Sequence, residues 1–197
     1  MKIGILTAIN PLTSDINWAD TPAAAYISFL QSGGGAFSYN SYDIVANQFP
    51  DSVDACDAYL ITGSPRGVYD DDPWIAQLIG FIRDSYAADK KLVGICFGHQ
   101  VLAHALGGHT EKSDKGWGLG LKQFAITCHK PWMTAPVGAY SLYFAHQDQV
   151  LQLPAAAERL GGSDFCPNAM FVLWEQVWGA QGHHEFTQSM LLDVLAG

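Results

Sequence analysis

Short apolar runs alternate, in the first half of the chain, with longer stretches in which apolar positions recur every three or four residues. Residues 2–8, 42–46, 58–62 and 92–95 read as strands. The last is apolar at almost every position, as expected of a strand buried on both faces. Residues 21–32 read as a helix with Thr21 as cap and Pro22 in the first turn, stopped by Gly33-Gly34-Gly35. A second helix opens at Asp72-Pro73 with Asp72 as its N-cap, and Trp74, Ile75, Leu78, Ile79, Ile82 and Tyr86 fall on one face. Residues 98–106 form a third helix, ended by Gly107-Gly108. From 116 to 181 the chain is richer in strands, at 120–127, 140–145, 169–173 and 177–181, and a last helix covers 187–195.

Alternation of this kind implies parallel βαβ units with helices on both sides of a sheet. No linker interrupts it. The pattern predicts one α/β domain over residues 1–197, a mixed and mostly parallel sheet flanked by helices.

Composition narrows the partners. The net charge is −9, and the ten Lys and Arg are scattered. No basic stripe is available for a phosphate backbone, so no nucleic-acid partner is expected. No run approaches the roughly 20 apolar residues of a membrane helix, and the opening Met1–Leu6 segment reads as a strand without a signal-peptide cleavage site. The expectation is a cytoplasmic protein without a membrane partner. Cys56, Cys96, Cys128 and Cys166 are too widely spaced for a CxxC metal pattern and are expected to be free thiols. No metal or cofactor is expected.

One cysteine stands apart. Gly94-Ile95-Cys96-Phe97-Gly98-His99-Gln100 lies where a buried strand meets a helix. Gly-x-Cys-x-Gly has the layout of a nucleophile elbow with cysteine in place of serine. A sharp strand-to-helix turn forces unusual backbone geometry on the nucleophile, and the flanking glycines relieve crowding. The helix N-terminus favours a thiolate, and the Phe97 N–H faces the same space and can bind an oxyanion. The bland alternative is a small buried cysteine before a glycine-capped helix.

A cysteine nucleophile needs a base, and the base an orienter. Gln181-Gly182-His183-His184-Glu185 follows a strand and should lie at its carboxyl end, the edge where ligands bind in open α/β sheets. Glu185, two residues beyond His183, can hold that imidazole in one tautomer. His184 is the near-miss. A solvated polar turn is the alternative for this segment.

Taken together, the two segments resemble the class I glutamine amidotransferase family, which carries a Gly-x-Cys-x-Gly-His-Gln elbow and a late Gln-Phe-His-Pro-Glu. The elbow matches in full. The late motif keeps Gln181, His183 and Glu185 but has Gly182 for phenylalanine and His184 for proline, which implies a more flexible loop. Leu60-Ile61-Thr62-Gly63-Ser64-Pro65 is a third match, and residues 68–75 and 144–150 look like the stand-alone, GMP-synthase-like subgroup. Matches run in order over roughly residues 1–195.

The resemblance implies a flavodoxin-like amidotransferase architecture and a Cys96–His183–Glu185 triad. It implies oxyanion donors at Gly63 and Phe97, a substrate contact at Gln100, and a grip on the glutamyl backbone by Gly116, Trp117 and Gly118. The implied activity is hydrolysis of the glutamine side-chain amide through a Cys96 thioester, releasing ammonia. The alternatives are a free-standing hydrolase of γ-glutamyl peptides or amides, and a non-catalytic regulatory or binding module that kept the fold. The partners implied are glutamine or a γ-glutamyl small molecule. The chain lacks a phosphate loop, so any ATP-dependent amination would need a separate synthetase subunit.

Weaker signals read as structure. Asp70-Asp71-Asp72 is expected to be a turn and cap rather than a metal site, and His146 with Asp148 a turn contact rather than a second dyad. His99 is expected to pack beside the elbow, pointing away from Cys96. His104 and His109 have no partner pattern.

Overall fold

The computed structural model describes residues 1–18, 20–134 and 136–196. Its elements run β1 (Lys2–Thr7), α1 (Pro22–Ser32), β2 (Ser38–Asp43), β3 (Ala58–Ile61), α2 (Pro73–Ala87), β4 (Lys91–Ile95), α3 (Phe97–Ala105), β5 (His109–Lys112), β6 (Gly118–Ile126), β7 (Gly138–His146), β8 (Asp148–Gln152), β9 (Ala157–Gly162), β10 (Met170–Leu173), β11 (Val177–Ala180) and α4 (Gln188–Ala196). Among the described residues, nine strands form one sheet in the order β2-β1-β3-β4-β11-β10-β9-β6-β7. The first five are mutually parallel, and the remaining pairings are antiparallel. This is the mixed, mostly parallel sheet flanked by helices that the alternation predicts. The short pair β5-β8 forms a separate sheet, which the single-sheet expectation did not include.

Strand alternation builds a core on each face. Leu6, Tyr59 and Ile61 pack with Trp74, Ile75, Leu78 and Ile82 of α2 and with Phe97 and Val101 of α3. Ile3, Ile5, Leu60 and Ile95 pack on the other face with Tyr26 of α1, and Phe124, Phe144 and Met170 of the antiparallel half join them. Thr21 caps α1 as expected, its Oγ1 accepting from Ala24 N at 3.2 Å. Asp72 stands at the N-cap of α2 but makes no side-chain cap. Its carboxylate turns instead to Arg66, 3.1 Å from Nε. Among the described residues no helix is long and apolar enough to cross a membrane.

The parallel order puts the carboxyl ends of β3, β4 and β11 side by side. Gly63 follows the first, Cys96 the second and His183 the third.

Candidate active site

Cys96 forms the corner between β4 and α3 at φ 55°, ψ −105°, a left-handed conformation costing a side-chain-bearing residue about 1–3 kcal/mol. The corner is closed tightly enough to require its glycines. A Cβ on Gly94 would lie 2.3 Å from the Gly98 carbonyl oxygen, and one on Gly98 would lie 2.2 Å from the Ile61 oxygen. Cys96 N donates to Ala180 O at 2.9 Å, tying the corner to the end of β11. Phe97 opens α3, where an N–H has no intrahelical acceptor.

Three residues past β11, the chain is pinned to the edge strand β7. His183 N donates to Tyr143 O at 2.8 Å, and a Cβ on Gly182 would sit 2.9 Å from Leu142 Cδ1. Glycine there lets the loop lie flat on β7. The flexibility implied by its departure from the family motif is therefore corrected: close packing and the β7 hydrogen bond hold the loop.

His183 Nδ1 lies 2.7 Å from Glu185 Oε1, and its ring stacks on Phe186 with centroids 3.9 Å apart. Cys96, His183 and Glu185 are 5%, 6% and 7% exposed. Burial opposes charge on the imidazole, but the Glu185 carboxylate and then the Cys96 sulfur outweigh it and lift His183 to about 10. Burial likewise pushes Glu185 up, and the adjacent His183 overcomes it and holds the carboxyl below its usual range. His184 faces elsewhere, its ring 5.5 Å from those of both Phe29 and Trp178.

Gly63 lies against this group. A Cβ there would be 3.2 Å from His183 Cε1 and 3.7 Å from Cys96 Cβ. Its N–H, expected as an oxyanion donor, donates to Tyr26 Oη at 2.9 Å. Gln100, expected to contact substrate, donates from Nε2 to Asp148 O at 2.8 Å and to Gln181 Oε1 at 3.1 Å. Gln181 in turn donates to the Cys96 sulfur at 3.6 Å. Sequence reasoning noted Gln181 as a motif match without assigning it a task.

Gly116, Trp117 and Gly118 lead into β6. Trp117 is 62% exposed, and Gly118 pairs with His146 in the β6–β7 ladder. His146 is held by a turn contact, Nδ1 to Asp148 O at 2.9 Å, while the Asp148 carboxylate accepts from Tyr69 Oη at 2.9 Å. Burial pushes His146 down to about 4. His99 packs on Phe171 at 5.1 Å, and burial pushes it down to about 3. In the acidic turn, Asp70 accepts from Gly67 N at 3.1 Å. All four cysteines are free, and burial pushes Cys166 up to about 12. An apolar recess bordered by Lys91, Trp132 and Gln176 lies at the amino ends of β4 and β11, the edge opposite Cys96.

Comparison with known proteins bears on this site. The family model described as glutamine amidotransferase class-I matches residues 30–191. The chain is 30% identical to γ-glutamyl peptidase 3 of Arabidopsis thaliana over 165 residues, covering 80% of this chain and 66% of that protein. It is 28% identical to the glutamine-hydrolysing GMP synthase of Porphyromonas gingivalis over 148 residues, 73% of this chain and 28% of the synthase. The chain thus spans just under two thirds of the first relative's length and about a quarter of the second's. A glutamine amidotransferase structure from Thermotoga maritima superposes with a TM-score of 0.81 at 17% identity, covering 99% of this chain and 80% of that one, which shows a shared fold.

Proposed function

Because this chain belongs to the class-I glutamine amidotransferase family, we propose that it hydrolyses γ-glutamyl amide or peptide bonds with Cys96 as nucleophile, His183 as base and acid, and Glu185 as orienter. The observation that carries this reading is the Glu185–His183 pair at 2.7 Å beside a cysteine held at positive φ. The Cys96 sulfur attacks the γ-carbonyl carbon while His183, kept protonated beside Glu185 and the sulfur, holds the proton that the leaving group will take. The carbonyl electron pair moves onto oxygen, facing the Phe97 N–H. As the carbonyl re-forms, the C–N bond breaks and His183 gives that proton to the departing amine. Water, deprotonated by His183, then attacks the thioester and releases glutamate and the thiolate. Glu185 stays ionised and holds the imidazolium. A well-placed oxyanion donor is worth about 3–4 kcal/mol.

The likeness to γ-glutamyl peptidase 3 supports a substituted amine as leaving group. The likeness to GMP synthase, confined to 28% of that protein, supports a second reading in which the leaving group is ammonia passed to a separate synthetase. The test is product release by the isolated chain from glutamine and a panel of γ-glutamyl peptides and anilides, beside Cys96→Ala. Turnover of γ-glutamyl peptides that is lost in the variant is expected. Turnover of glutamine alone selects the second reading. Activity retained by Cys96→Ala overturns the nucleophile assignment, and no turnover of any donor leaves the non-catalytic module.

A further inference from the structure

We propose that the outer face of the β6–β7 hairpin is the leaving-group subsite of this site: Tyr143, Leu121 and Leu119 form an apolar row running out from His183, and the row selects γ-glutamyl peptides or amides whose amine carries a leucine-like or phenylalanine-like side chain. This rests on the Cys96–His183–Glu185 reading above.

His183 pairs with Tyr143 as an antiparallel bridge, its N–H on the Tyr143 carbonyl at 2.8 Å. Directly opposed residues of such a pair hold their side chains on one face, with Cβ atoms about 5 Å apart. The packing shows which face this is. A Cβ on Gly182 would meet Leu142 and Phe144, so Gly182 shares the side of the even-numbered positions of β7, and His183 shares the side of Tyr143. The even side is core: Phe144 is buried there with Phe124 and Ile126 of β6, and Tyr140 and Leu142 pack against them. His183 and Tyr143 therefore belong to the outer face. That face continues across β6, where Leu121 stands opposite Tyr143 and Leu119 opposite Ala145. Leu121 is 63% exposed and Leu119 37%. In the other direction Gln123 stands opposite Ser141, so the apolar row ends in polar side chains.

An exposed leucine is ordinary by itself. These two are set apart by their place. His183 gives its proton to the departing nitrogen, so that nitrogen lies within hydrogen-bond reach of the imidazole, and whatever it carries extends over the neighbouring surface. On the imidazole's own face of the hairpin that surface is Tyr143, then Leu121 and Leu119. Two cross-strand steps of about 5 Å separate His183 from Leu121, a span that a phenylalanyl and a leucyl side chain cover between them. Ammonia gains nothing from such a row, whereas an apolar side chain on the carbon beside the leaving nitrogen is shielded by it from water.

The test measures kcat/KM on γ-glutamylphenylalanine and γ-glutamylglycine for wild type and for Leu119→Thr/Leu121→Thr, which keeps residues suited to a strand. Wild type is expected to prefer the phenylalanyl donor by about tenfold or more, the scale on which apolar contacts discriminate, and the double variant to bring that ratio below about threefold. A variant that only loosened the hairpin would slow both donors alike and leave the ratio. A wild-type ratio below about threefold, or a preference that survives in the variant, overturns the proposal. No turnover of either donor defeats the proposed function instead, and binding to Cys96→Ala then decides the row. There calorimetry is expected to find γ-glutamylphenylalanine bound about fivefold or more tighter than γ-glutamylglycine, with the difference lost on adding the two threonines; equal affinities overturn the proposal. Should the double variant not fold, Leu121→Thr alone, at the more exposed position, is expected to cut the ratio at least about twofold, and an unchanged ratio counts against the row.

Discussion

Replacing Gly63 with alanine isolates the steric part of the site. Gly63 is not among the glycines of positive φ, so alanine there carries no backbone strain. It also keeps the N–H that Tyr26 accepts. What changes is one methyl group, 3.2 Å from His183 Cε1, 3.5 Å from Tyr26 Oη and 3.7 Å from Cys96 Cβ. The last two are ordinary contacts. The first is tight, and the imidazole, clamped between Glu185 and Phe186, must give by a few tenths of an ångström. Overpacking of this kind costs about 1 kcal/mol at the mild end, a fall of about 2–4 °C in Tm for a chain of this size. The same displacement carries the base away from the sulfur. A misplacement of about 1 Å can cost about 100-fold, so a third of that implies roughly a fivefold loss in kcat. Steady-state kinetics on a γ-glutamyl anilide, beside a thermal melt, measure both. If kcat stays within about twofold of wild type while Tm falls, the imidazole has slack and the tight-space argument fails.

Two further outcomes follow from the geometry. His183→Ala should abolish turnover, while His184→Ala, whose ring faces Phe29 and Trp178, should lower stability and leave measurable activity; the reverse pattern in the same assay would mean the base is misassigned. Stability should also depend on pH through the buried pair. His183 is raised from 6.5 to about 10, so its contribution is complete below about pH 6.5 and is lost as pH rises towards 10. Glu185 is lowered from 4.5, so its contribution is present above that value and is lost as pH falls below it. Thermal midpoints of wild type should therefore decline between about pH 6.5 and 10, and Glu185→Gln should flatten that decline. Equal alkaline slopes for the two proteins would show that the pair does not couple to folding.

The nucleophile corner was readable because two strong local signals coincide there. A doubly buried parallel strand is an unbroken apolar run, and a corner this tight leaves room for nothing larger than Gly94 and Gly98. The edge strand β2 was misplaced at 42–46 because Ser38–Asp43 is polar throughout and pairs on one side only. The apolar residues after it turn away from the sheet, Ile44 into the core. Strands β5, β8 and β9 escaped because they are short and largely solvent-facing, so burial imposes little alternation. Glu185 could be paired with His183 from spacing alone. The link from Tyr26 to Gly63 could not be read, since a tyrosine on the apolar face of a helix carries no mark of the loop N–H it accepts from. Gln100 and Gly63 were assigned to substrate by motif, and their partners lie inside the protein.

Cys96 and His183 hang from different parts of the sheet. Cys96 is fixed by β4 and α3 in the parallel half, while His183 is moored by its backbone to β7, which with β6 forms a hairpin joined to β9 through the Ala125–Gly162 and Ile126–Gly161 pairings and the Thr127 and Cys128 N–H groups on Leu160 O. Opening of that hairpin would release the imidazole and leave the parallel core folded, because regions with few anchoring contacts open at lower free energy than the whole molecule. Loss of the proposed activity on gentle warming would then precede loss of helical signal, and amide exchange along 138–146 would report the lifetime of the proposed site more faithfully than the melting temperature.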